Sequence, residues 1–66
     1  MEQKHYKKYL RQLLDAGISM VRIEKECEVS QPTIRSILRG ESIPSDTIQK
    51  RILKGCENIV KRFMSL

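Results

Sequence analysis

The spacing of apolar residues between Gly17 and Gly40 constrains this chain most, because it admits two short helices with almost nothing between them. Ser19 stands before the first helix and can cap it by accepting a backbone N–H. Met20, Ile23 and Cys27 then fall at i, i+3 and i+7, one face of a 3.6-residue period. The pattern breaks at Glu28 and Val29. Ser30 is the next capping candidate, with Pro32 in the first turn, where its missing N–H costs nothing. Ile34, Ile37 and Leu38 make a second stripe at i, i+3 and i+4, and Gly40 ends it, as glycine does in the left-handed position after a C-cap. The two helices are read as residues 20–27 and 31–39.

Two helices joined by a turn of about three or four residues form a helix-turn-helix. The residues that carry the pattern are Gly17, Ser19, Ile23, Val29, Ser30, Thr33, Ile34, Ile37, Arg39 and Gly40, followed by Pro44, Ser45, Thr47 and Ile48. Over residues 6–54 the chain resembles the Cro and lambda-repressor family of DNA-binding domains. It departs at two positions: Glu24 stands where the family usually has alanine, and Glu28 where it usually has glycine. The resemblance implies a compact all-α domain of four or five helices, a homodimer and double-stranded DNA as partner. It also implies base contacts from the positions held here by Gln31, Pro32, Thr33 and Ser36.

Sixty-six residues allow one domain, spanning 1–66, that buries about 60% of its unfolded surface and leaves no room for a separate effector domain. No stretch approaches the roughly 20 apolar residues of a membrane span. The N-terminus lacks an apolar signal region, so the cytoplasm is the expected compartment. Cys27 and Cys56 occupy apolar-stripe positions and read as small buried hydrophobes. A disulfide does not suit a cytosolic chain. A zinc site needs about four ligands, and one histidine with two scattered cysteines does not supply them. No phosphate loop and no nucleophile beside a plausible base is visible, and Glu24 and Glu28 border no cleft that such a chain could build. Neither an enzyme, a cofactor, a metal nor a small-molecule substrate is expected.

The net charge of +5 is unevenly spread: residues 1–20 carry +2, residues 21–43 carry 0 and residues 44–66 carry +3. Glu24, Glu26 and Glu28 surround the first motif helix, while Arg35 and Arg39 sit on the second, a split that favours the second helix facing a polyanion. Its apolar stripe must face the core. At 100° per residue this turns Pro32, Arg35, Ser36 and Arg39 to the opposite side, flanked by Gln31 and Thr33 at the N-terminal end that enters the major groove in this motif. Gln31 can bond adenine at N6 and N7, Arg35 can fork onto guanine, and Pro32 or the Thr33 methyl can touch a thymine methyl. Phosphate contacts are expected from the helix starts at Ser19, Met20, Ser42 and Ser45, and from Arg39 as the basic candidate.

A first helix is expected over residues 4–16, its apolar face built from Tyr6, Leu10, Leu13 and Leu14 and stopped by Gly17. After a linker at residues 41–44, Ser45 caps a further helix with Asp46 in its first turn. Ile48, Ile52, Ile59 and Phe63 give that helix its stripe, and Gly55 interrupts the run. Glycine costs about 1 kcal/mol there relative to alanine, so a break or bend near Gly55 is favoured over one long helix. Ile59, Val60, Phe63, Met64 and Leu66 are more apolar surface than a terminus should expose, and the resemblance implies self-association after the motif; residues 56–66 are the expected dimerisation tail. The alternative function is a protein-interaction module that keeps this scaffold without reading DNA, to which the acidic first motif helix lends weight.

Overall fold

A computed structural model describes residues 5–64, and these form four helices: α1 (Tyr6–Asp15), α2 (Met20–Cys27), α3 (Gln31–Leu38) and α4 (Asp46–Met64). No strand occurs among the described residues. Lys4, expected to begin the first helix, lies outside them, as do Leu66 and the side chain of Met64.

The helix ends explain why the chain turns where it does. Two of them close in the same way. Gly17, at φ +92°, donates its N–H to the Leu14 carbonyl while Ile18 donates to that of Leu13. Gly40, at φ +77°, donates to Ile37 while Glu41 donates to Ser36. Each pair is a Schellman closure, which satisfies carbonyls that the last turn leaves without partners. Ser19 Oγ accepts from the Arg22 N–H at 3.2 Å, and Ser45 Oγ accepts from the Ile48 N–H at 3.3 Å, so both serines cap as expected. Ser30 holds the extended backbone of an N-cap, but its hydroxyl pairs with that of Thr33 at 2.9 Å instead of taking a backbone N–H.

The core is one apolar cluster. Leu10, Ile23, Ile34, Ile37 and Ile52 are fully buried at its centre, and Cys27, Val29, Cys56 and Ile59 extend it. Packing is most extensive between α2 and α4, while α3 seats on α1 and α2. Arg11 of α1 donates from Nη2 to the Leu38 carbonyl at 3.0 Å, placing a cation at the negative end of α3. Both cysteines are free and buried. The Cys56 thiol as hydrogen-bond partner, together with burial, pushes the Cys27 thiol well above its ordinary pKa, so it is an inert packing group at neutral pH.

The expected break at Gly55 does not occur: α4 runs unbroken from Asp46 to Met64, and the helix count is four. Gly55 is buried against the backbone of Cys27. A Cβ there would stand 2.6 Å from Cys27 Cα and 2.7 Å from its backbone nitrogen, far inside van der Waals contact. The glycine therefore marks the crossing point of α2 and α4, where the absent side chain lets two backbones meet, and not a helix end.

Candidate nucleic-acid interface

Helix α3 divides cleanly. Ile34 and Ile37 are fully buried, and on the far side Pro32, Thr33, Arg35 and Arg39 are exposed. Gln31 and Ser36 are half-buried at the margins of that outer face. The helix therefore presents to solvent a short row able to donate, accept and make apolar contact. The row is not a set of independent side chains. Gln31 donates from Nε2 to Glu24 Oε1 at 3.0 Å, and its own Oε1 accepts from Arg35 Nη2 at 3.4 Å. Arg39, just past the end of α3, pairs with Glu41 at 3.1 Å, both side chains well exposed.

The turn between α2 and α3 is built on Glu28, whose φ of 56° and ψ of 40° place a non-glycine residue in the left-handed region. That conformation costs a residue with a Cβ about 1–2 kcal/mol. It lets Val29 fold back into the core, 5% exposed, and so sets how α3 leaves α2. Around this turn the acidic residues of α2 are largely partnered. Glu24 takes Gln31. Glu26, its side chain 10% exposed, lies 2.9 Å from Arg62 and 4.0 Å from Arg22. Among the expected phosphate contacts, Ser42 and Ser45 are exposed and Met20 is half-buried. Ser19 is exposed with its hydroxyl engaged in capping.

The helix-turn-helix family profile matches residues 7–57, which holds α1 from its second residue, all of α2 and α3, and more than half of α4. The chain belongs to the helix-turn-helix family of Cro type. Neither a curated protein nor a solved structure matches the chain significantly. The family binds DNA in transcription regulation and is not an enzymatic one. Within it, α2 and α3 stand as the two motif helices, of which the second is the one that enters the major groove in members bound to DNA. No described helix is long and apolar enough to cross a membrane.

The end of α4 separates the residues expected to self-associate. Ile59 faces inward at 1% exposure and belongs to the monomer core, whereas Val60 and Phe63 are 42% and 47% exposed. Val60 borders a groove between α1 and α4 lined by Tyr9, Leu13, Ala16, Leu53 and Cys56. Phe63 turns toward α2, where the Arg22 guanidinium lies 5.4 Å from its ring centroid in a cation–π contact.

The pairings of Gln31 with Glu24, of Arg11 with the Leu38 carbonyl and of Arg62 with Glu26 were not expected from sequence. For the first a signal existed: a carboxylate late in one helix and an amide opening the next, across a tight turn. The other two join residues 27 and 36 positions apart, with no local pattern to announce them.

Proposed function

We propose that the chain is a sequence-specific transcriptional repressor of phage or mobile-element type, a cytoplasmic protein acting as a homodimer on an inverted-repeat operator in double-stranded DNA. Occupying the operator would block polymerase, so binding itself is the mechanism. The observation that carries this reading is the division of α3: two isoleucines completely buried on one side, and base-matching chemistry on the other. Gln31, Pro32, Thr33, Arg35 and Ser36 are the candidate base contacts, with Arg35 forked onto guanine O6 and N7 as the directional one. Ser19, Met20, Arg39, Ser42 and Ser45 would hold phosphates and fix the register of the helix in the groove. Residues 1–66 act as one domain, and Val60, Phe63 and Met64 supply apolar surface at the partner contact.

Selection of bound fragments from random DNA, followed by titration of the selected site against salt, tests this. A reader of DNA loses affinity by about 0.9 log unit per phosphate contact for each log unit of salt. A consensus with that salt slope is the expected outcome. Binding that persists at high salt would favour the protein-interaction module, and a steep salt slope without any consensus would favour a nonspecific nucleic-acid binder.

A further inference from the structure

Glu24 brings a carboxylate to the edge of the surface that would face a polyanion, where it repels phosphate unless it has a specific task. Its contacts indicate one. Gln31 opens α3 and is half-buried, so its amide is confined. An ionised carboxylate only accepts, so Glu24 Oε1, 3.0 Å from Gln31 Nε2, admits one of the two amide orientations: nitrogen toward Glu24, oxygen away from it. The oxygen thus turned outward accepts from Arg35 Nη2 at 3.4 Å, one turn further along α3.

We propose that Glu24 is a positioning residue for base recognition: it fixes the Gln31 amide so that the amide oxygen steadies the Arg35 guanidinium for guanine. This rests on the reading of DNA by α3 proposed above. The geometry leaves Arg35 able to act, because a guanidinium carries five N–H donors and this contact takes one of them, leaving enough for the two acceptors of guanine. It also assigns Gln31 a supporting part. An amide has two N–H donors and an oxygen with two lone pairs, so the bonds to Glu24 and Arg35 leave Gln31 one N–H and one lone pair for a base. Glu24 therefore biases the helix toward guanine at the Arg35 pair. The carboxylate also repels phosphate on every sequence alike, which lowers affinity without changing the ratio of selected to unselected binding.

The test compares the parent chain, Glu24→Ala, Gln31→Ala and the double variant on the selected site and on every single-base substitution of it. Arg35→Ala serves as the reference that locates the Arg35 base pair. Alanine suits a helix interior, and a thermal melt confirms that each variant is folded. In Glu24→Ala the guanine preference at that pair should fall several-fold, within the roughly 5- to 150-fold that one bidentate contact is worth. Affinity for unselected DNA should rise as the repelling carboxylate is removed. Without Gln31 the Glu24 substitution should leave the guanine preference where Gln31→Ala already put it. Equal loss on all sequences, or an effect on preference that survives intact in the Gln31→Ala background, overturns the relay. If Arg35→Ala itself leaves the parent's preference profile unchanged, base reading by α3 fails first, and that result is distinct from failure of the relay alone.

Discussion

Gly55→Ala offers a test of the fold in which two opposing effects can be weighed. In an exposed stretch of helix the exchange would stabilise by about 1 kcal/mol, because glycine is the poorer helix former. At this position the added Cβ would stand 2.6 Å from Cys27 Cα and 2.7 Å from Cys27 N. Carbon atoms in good contact lie about 3.5–4.0 Å apart, so α2 and α4 must separate by close to an ångström along their most extensive packing. Overfilling a packed core costs roughly 1–3 kcal/mol. Backbone atoms cannot swing aside as the end of a flexible side chain can, which puts this case at the upper limit. Setting about 3 kcal/mol of strain against about 1 kcal/mol of gained propensity leaves a net loss near 2 kcal/mol. A domain of this size shifts by about 4–8 °C per kcal/mol, so Tm should fall by roughly 8–16 °C. Thermal unfolding followed by circular dichroism measures it, with Lys54→Ala as the exposed control one position earlier in the same helix. A Gly55→Ala variant that melts at or above the parent would refute the close crossing and restore a bend at Gly55.

Three further predictions address the turn, the core and the tail. Glu28→Gly should raise stability by about 1 kcal/mol, since glycine occupies φ 56° without a Cβ penalty that outweighs its greater freedom when unfolded; a lower Tm would mean the turn has another conformation. Ile34→Ala and Ile37→Ala should each cost about 2–5 kcal/mol by opening cavities at fully buried sites, and denaturant midpoints equal to the parent's would place that stripe outward. Phe63→Asp should yield a folded monomer in sedimentation and weaken DNA binding, because the site is half-exposed and Arg22 lies beside it to receive the carboxylate; an unchanged dimer would move the interface elsewhere.

Much of this arrangement is legible in the chain because it is local. The stripe of Ile34, Ile37 and Leu38 and the closing glycine determine which side of α3 is buried, and the opposite side follows from helical geometry alone. Glu28 was recognisable as a strained turn residue because the family pattern has glycine there, and its φ agrees. Gly55 departs from the expected break for a physical reason. Its intrinsic helix penalty is a property of one position, whereas its benefit lies in Cys27, 28 residues away, and appears only once the two helices cross. The Gln31 amide shows the same limit on a smaller scale. Its side chain suits adenine in isolation, and only folding brings Glu24 and Arg35 to its two ends.

Reading of base pairs by α3 shows in how affinity depends on sequence. Affinities of the parent, Arg35→Ala and Arg39→Ala are determined for the selected operator and each of its single-base substitutions, over a range of salt. Two identical subunits present two α3 helices on one face of the duplex, so the operator should hold inverted half-sites with centres about 10–11 base pairs apart. Arg35→Ala should cost about 1–3 kcal/mol and relax preference at one base pair of each half-site. Arg39→Ala should weaken every sequence alike and reduce the salt slope by about one. If Arg35→Ala lowers affinity uniformly and leaves the preference profile intact, α3 does not read bases there; if the selected sites carry no inverted symmetry, the twofold dimer fails with it.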